Sequence, residues 1–211
     1  MEEKTNMTAE RSLEIIRESI ERSQRTITKN SSLSLTWWGL CVFVFSIIIA
    51  YLWKHHGGPV WNFLWAVMWV IGYLGNRAID MRKEKIPSTF VGKTIGHVWS
   101  TFGIFCGGLG LILGLIGCGI IPVRMLIPSE VDAHFYINIT SIISLCFGIA
   151  STITGRVLKN SIIQICGLIA GFGGFFGALH YPWSEQLYVM AAVAFIGLIV
   201  PGLVIYFQDK Q

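Results

Sequence analysis

Six apolar segments occupy most of this 211-residue chain, and each is long enough to form a helix that crosses a membrane. A helix needs about 20 mainly apolar residues to cross the hydrocarbon core of a bilayer. The segments span residues 34–53, 59–75, 98–121, 135–153, 161–179 and 185–207. Charged residues make up 13% of the chain, a smaller share than soluble domains usually carry. The sequence therefore predicts an all-α integral membrane protein with six transmembrane helices.

The Lys and Arg residues predict how the chain is oriented. Six fall in the first 32 residues, five between the second and third segments, two between the fourth and fifth, and one after the sixth. Lys54 and Arg124 fall on the other side. Because short loops rich in Lys and Arg stay in the cytoplasm, both termini are expected there. The first 32 residues lack the apolar run of a cleavable signal, so we expect a multi-pass protein of the bacterial cytoplasmic (inner) membrane.

Residues 1–32 form a hydrophilic segment that is predicted to be an amphipathic cytoplasmic helix. Leu13, Ile16, Ile20 and Ile27 share one face at helical spacing. Three interpretations stay open: docking of a cytoplasmic partner or a sister subunit, packing on the protein's own loops, and binding in the membrane plane. The segment holds six acidic and six basic residues, whereas a helix that binds anionic lipid is normally richer in Lys and Arg. Docking of a partner or sister subunit is therefore the favoured hypothesis.

Pairs of glycines four residues apart predict where helices approach closely. They are Gly103, Gly107, Gly110 and Gly114 in the third segment, and Gly167, Gly171, Gly173 and Gly177 in the fifth. Small residues at this spacing let helix backbones pack closely in membranes. The pattern therefore predicts that the third and fifth helices form the tight centre of a six-helix bundle.

The predicted spans carry no acidic or basic side chain at mid-depth. Such side chains mark most ion-coupled transporters and proton relays, so those classes are disfavoured. The chain also has no serine-nucleophile elbow, phosphate-binding loop or dinucleotide glycine pattern. We therefore predict neither enzymatic activity nor a cofactor, and no direct contact with nucleic acid.

Imidazole and carboxylate groups gather in the predicted outer loops. Candidate metal ligands there are His55, His134, His180, Glu130 and Asp132. Such side chains bind zinc-type ions when several converge. Their spacing matches no established metal motif, and the simpler interpretation is that they are solvated loop residues.

Basic side chains at the predicted cytoplasmic ends of the spans are candidate contacts for anionic lipid headgroups. They are Arg77, Arg82, Lys83, Lys85, Arg156 and Lys159. Because the orientation of the chain already accounts for cytoplasmic charge, these residues add little independent support for a lipid site.

Four stretches of this chain carry a resemblance to a known family. They are Met7–Ile16, Trp38–Leu40, Phe147–Lys159 and Val200–Leu203. Through them the chain resembles a family of uncharacterised six-span inner-membrane proteins of Bacteroides-like bacteria. The resemblance implies an envelope protein produced alongside a winged-helix regulator, and it transfers no catalytic or ligand residue.

Taken together, these patterns favour a non-enzymatic membrane scaffold or sensor whose amino-terminal helix docks a cytoplasmic partner or a sister subunit. The alternative is a passive transporter or channel for a small solute. Expected partners are the lipid bilayer, a cytoplasmic regulator and a second copy of the chain.

Overall fold

The computed structural model describes residues 9–81, 90–117, 120, 138–181 and 183–208. All regular structure within those residues is helical, which confirms the predicted all-α class. The α-helices are α1 (Ala9–His55), α2 (Leu64–Met81), α3 (Phe90–Gly117), α4 (Ile139–Val157), α5 (Ser161–His180), α6 (Gln186–Ala194) and α7 (Val200–Gln208). Residues 121–128 form a short apolar segment bracketed by Pro122 and Pro128, which predicts that it lies flat at the outer membrane interface; it lies outside the described residues.

Helix α1 joins the predicted amino-terminal helix and the first apolar segment into one helix of 47 residues. No Gly or Pro interrupts the junction, and the Thr36 hydroxyl donates a hydrogen bond to the Ser32 carbonyl at 2.9 Å. At 1.5 Å per residue this helix is about 70 Å long. Its first part, residues 9–26, extends past the other helices and is called the arm below.

Five helical stretches in the described part of the chain are long and apolar enough to cross a membrane. They are Arg11–His55, Phe90–Leu115, Ile139–Val157, Ser161–His180 and Trp183–Gln208. Helix α2 is not one of them, because its last turns carry Asn76, Arg77 and Asp80. The predicted second segment begins instead with a 3-10 helix, Pro59–Phe63.

Helix α2 nevertheless runs antiparallel to α1 along most of the bundle. At one end the Trp37 indole Nε1 donates to the Gly72 carbonyl at 3.0 Å. At the other end Trp61 and Trp65 pack against the buried pair Ile49 and Ala50. Trp61 and Trp65 therefore pack against α1, whereas Trp69 remains 47% exposed.

The closest helix pair is α4 with α5, and the prediction that pairs the third helix with the fifth is wrong. A Cβ added at Gly148 would lie 2.5 Å from the Cα of Gly171, so the two backbones touch there. On α3, by contrast, a Cβ added at Gly107, Gly110 or Gly114 would meet no atom of the described residues within 4 Å. Helix α4 takes the place of α3 because it offers its own row of small residues to α5.

Polar side chains fix both ends of the α4–α5 hairpin. At the start of α4, the Asn138 side-chain oxygen accepts from the Ser141 backbone N–H at 2.8 Å, and its amide donates to the Ala178 carbonyl of α5. At the start of α5, the Asn160 oxygen accepts from the backbone N–H groups of Ile162 and Ile163 at 3.0 and 3.2 Å. These N-caps satisfy backbone donors that have no partner within the helix.

Helices α6 and α7 are joined by a π-helical turn, Phe195–Ile199, into one rod. Pro201 lies just after the turn and has no backbone N–H to donate within the helix. The wider turn, in which the Val200 N–H reaches the Phe195 carbonyl, accommodates the proline ring without ending the rod.

The core consists of three layers along the bundle axis. At one end, called the basic end, Ile27, Leu35 and Ile95 pack against Val91, Leu158, Ile163 and Ile205. The middle layer holds Phe147, Ala170, Val193 and Leu198, with Trp38, Trp99 and Phe102 around them. At the opposite end, called the histidine end, Ile49, Ala50 and Leu187 pack with Phe45 and Trp53.

Candidate functional site

The arm exposes an aliphatic face that no other described helix covers. Leu13, Ile16 and Ile20 lie on this face and are 66%, 55% and 46% exposed. The fourth residue predicted on the face, Ile27, is half-buried against the core layer at the basic end. The exposed surface available to another molecule therefore consists of Leu13, Ile16 and Ile20, which we call the arm surface.

Charged side chains surround the arm surface. Arg17 Nε lies 3.2 Å from Glu21 Oε1, and the two side chains are 82% and 42% exposed. An exposed ion pair at this spacing stabilises a helix by a few tenths of a kcal/mol at most. The arm is therefore a solvated helix with one apolar face, and its order depends mainly on its continuity with the packed part of α1.

Three of the predicted headgroup contacts, Arg77, Arg156 and Lys159, lie in the described residues, and all three are at the basic end. Arg156 lies in the last turn of α4, and Lys159 occupies the following turn with a positive φ of 52°. Arg77 follows the point where Gly75 packs against Trp37. Arg82, Lys83 and Lys85 lie outside the described residues. The candidate headgroup contacts in the described part of the chain thus share one end of the bundle.

The predicted metal ligands are not brought together in the described part of the chain. His55 and His180 are both exposed at the histidine end. The His55 ring packs on Tyr51 with 4.7 Å between ring centroids, and His180 Nδ1 lies 2.9 Å from the Phe176 carbonyl oxygen. His134, Glu130 and Asp132 lie outside the described residues. Within the described residues no three His, Cys, Asp or Glu side chains could hold a metal ion together.

A groove between α4 and α5 is the feature that sequence reasoning missed. It has a volume of about 230 Å³, and its lining includes Gly148, Gly167 and Gly171 on one side and Thr152 with Arg156 toward the basic end. The sequence holds a signal for it, because Thr152 and Arg156 are one turn apart and lie on one face of the predicted fourth helix. The signal is weak without knowledge that α4 and α5 touch.

Comparison with known protein families, with curated proteins and with solved structures finds no match to this chain. The resemblance to six-span inner-membrane proteins of Bacteroides-like bacteria therefore stays a prediction.

Proposed function

We propose that this chain is a multi-pass protein of the bacterial cytoplasmic membrane with six crossing helices and both termini in the cytoplasm. Five long apolar helices support this proposal, and α2 supplies the sixth crossing by running antiparallel to α1. Basic residues of α2, α4 and the α4–α5 turn share the end from which the arm projects. That end faces the cytoplasm under the positive-inside rule.

Within that membrane, the proposed role is a non-enzymatic scaffold or sensor whose arm docks a cytoplasmic partner or a second copy of the chain. The observation that carries the proposal is the arm surface. Three aliphatic side chains at positions i, i+3 and i+7 of a solvated helix present the pattern by which an amphipathic helix binds a hydrophobic groove or another helix. Membrane lipid is a poorer fit because the arm's charges are balanced.

The arm is mechanically connected to the bundle. Helix α1 continues from the arm into contacts with α2, α6 and α7, and it has no Gly or Pro hinge between residues 9 and 38. A partner bound to the arm surface is therefore connected rigidly to the packed part of α1, with no flexible linker between them. A passive transporter or channel is the less favoured role, since the middle core layer consists of packed aromatic and aliphatic side chains.

A triple substitution of Leu13, Ile16 and Ile20 to Ser tests this role in the full-length protein. We expect loss of the captured partner from a mild-detergent pull-down, or loss of the dimer mass in light scattering, with membrane insertion unchanged. The matched control is Ile15→Ser, because Ile15 is 43% exposed on a different face of the same helix. Truncation should end at residue 26, so that the contact of Ile27 with the core is kept.

Unchanged partner capture together with unchanged mass in the triple variant would reject the docking role. Carbonate extraction of the same variant separately tests the membrane location, and release of the protein from the membrane fraction would reject that part of the proposal.

A further inference from the structure

We propose that the groove between α4 and α5 binds one acyl chain of an anionic phospholipid, with the lipid phosphate at Arg156. This inference rests on the proposed membrane location and goes beyond the proposed docking role of the arm. Three observations support this inference: the shape of the groove, the position of the groove along α4, and the charged and polar residues at the basic end of the groove.

The groove has the surface character of a site for a hydrocarbon chain. Its lining on α4 and α5 is glycine and large apolar side chains except at Thr152 and Arg156. The apolar side chains at the rim remain 40–56% exposed: Ile149, Ile153, Leu168 and Phe172. The glycines let the two helix backbones touch, so the floor of the groove is formed by the close helix contact and its walls by these exposed side chains. A linear chain that lies in this groove covers apolar surface on both helices.

The dimensions favour a single acyl chain over other occupants. The lining residues on α4 extend from Leu145 to Arg156, a rise of about 16 Å along the helix. One leaflet contributes about half of the roughly 30 Å hydrocarbon core, so the groove matches one leaflet in depth. Its 230 Å³ is below the roughly 300–1,000 Å³ of pockets for drug-sized ligands.

The charge at the basic end complements a phosphate. Arg156 is exposed there, and no carboxylate among the described residues lies within ion-pair distance of its guanidinium. Lys159 adds a second positive charge in the next turn. A guanidinium pairs with phosphate through two parallel hydrogen bonds. The leaflet that faces the basic end would be the cytoplasmic one, where anionic lipids supply such phosphates.

Thr152 is the other polar residue in the groove lining, four residues before Arg156, a rise of about 6 Å along α4. Its Oγ1 is buried and has no hydrogen-bond partner among the described residues. Rotation of this side chain toward the groove would let the hydroxyl donate to the ester carbonyl of a bound lipid.

Native mass spectrometry of the full-length protein in mild detergent tests the proposal. The probes are phosphatidylglycerol and phosphatidylcholine with identical acyl chains, and inorganic phosphate as a competitor. We expect preferential retention of phosphatidylglycerol, and a loss of about fivefold in its affinity in Arg156→Gln, as expected for one lost cation near the headgroup. The matched control Lys93→Gln, an exposed cation near the start of α3 that does not line the groove, should keep the wild-type affinity.

A second pair of variants tests the acyl-chain part of the site. Ile153→Trp places a larger side chain at the groove rim and should lower retention of both lipids. Ile169→Trp is the control, because Ile169 is 54% exposed on α5 and does not line the groove. A thermal melt of each variant shows whether the bundle is still folded, and the Arg156→Gln comparison decides the proposal if Ile153→Trp fails to fold.

Three outcomes would overturn the proposal. The first is equal retention of the two lipids with no effect of Arg156→Gln. The second is displacement of phosphatidylglycerol by millimolar inorganic phosphate, which would indicate a free-phosphate site. The third is a change in oligomeric mass in Ile153→Trp with lipid retention intact, which would indicate a protein interface. The arm triple variant separates this inference from the docking role, since it should lose its partner and still retain phosphatidylglycerol.

Discussion

Helices α3, α4 and α5 carry the same spacing of small residues, and they differ in what covers those residues. The rows, at intervals of four, three and four, are Gly103, Gly107, Gly110 and Gly114 on α3; Ser144, Gly148, Ser151 and Gly155 on α4; and Gly167, Gly171, Gly174 and Ala178 on α5. The rows of α4 and α5 meet backbone to backbone, whereas most of the α3 row has open space around it within the described residues. A row of small residues therefore permits a close contact but does not select the partner.

Two features of the chain select α4 as the partner of α5. A three-residue turn, 158–160, connects them, and Asn160 caps α5 directly after it. The short turn forces the two helices to lie antiparallel and keeps their rows in register. Helix α3 carries strongly exposed Ile104, Phe105 and Leu111 near its glycines. A membrane environment would accept such side chains facing lipid, so nothing compels α3 to bury its row.

The largest expected effect comes from filling the α4–α5 contact. In Gly148→Leu, the new side chain overlaps the Gly171 backbone, because its Cβ alone would lie 2.5 Å from the Gly171 Cα. We expect the free energy of unfolding to fall by about 3 kcal/mol or more, because the two backbones must separate. SDS titration in mixed micelles measures the change.

Gly107→Leu on α3 is the matched control for that substitution. It adds the same side chain at the corresponding position of a row with no described neighbour within 4 Å. We expect a change within about 0.5 kcal/mol. Equal losses of unfolding free energy in the two variants would contradict the distinction between the rows. Such a result would indicate that a protein surface packs against the α3 row.

Substitution of two serines of α4 that differ in hydrogen bonding should change the free energy of unfolding by smaller amounts. Ser141 Oγ lies 2.9 Å from Asn138 Oδ1 and 3.2 Å from the Phe175 carbonyl oxygen of α5, two acceptors for its one proton. Ser141→Ala should lower the free energy of unfolding by about 1 kcal/mol. Ser144 is fully buried beside Gly174, and its Oγ has no hydrogen-bond partner among the described residues. Ser144→Ala removes an unsatisfied group and should be neutral or stabilising by about 1 kcal/mol. A destabilised Ser144→Ala would show that this hydroxyl has a partner, such as a water molecule.

These serines also show how far the sequence alone could lead. Apolar length located α5 to within one residue and α4 to within four, whereas the predicted starts of the second and third segments differ from those of α2 and α3 by five and eight residues. The partner of α5 was mispredicted because the search for small residues counted glycines and left out Ser144 and Ser151, which fill the same role on α4. The predicted amino-terminal helix and the first apolar segment form one continuous helix, and no Gly or Pro lies between residues 9 and 38 to end it.

The candidate site was less predictable than the fold. Ile27 shares the helical face of Leu13, Ile16 and Ile20, and helical periodicity cannot show that the bundle reaches one of these residues and leaves the other three exposed. The groove forms only because particular faces of α4 and α5 meet. The sequence of either helix alone does not show which faces these are. Arg156 and Thr152 gain their candidate roles only from that pairing.

The smallest expected effect is the most informative about α3. Gly107→Ala adds one methyl group where nothing is within 4 Å, and alanine stabilises a helix by up to about 1 kcal/mol relative to glycine. We therefore expect a gain of about 0.5 kcal/mol in the same SDS titration. In Gly148→Ala the same methyl group should instead destabilise, because its Cβ overlaps the α5 backbone. A loss in Gly107→Ala that depends on protein concentration would mean that the α3 row packs against a second copy, since a contact within one chain is independent of concentration.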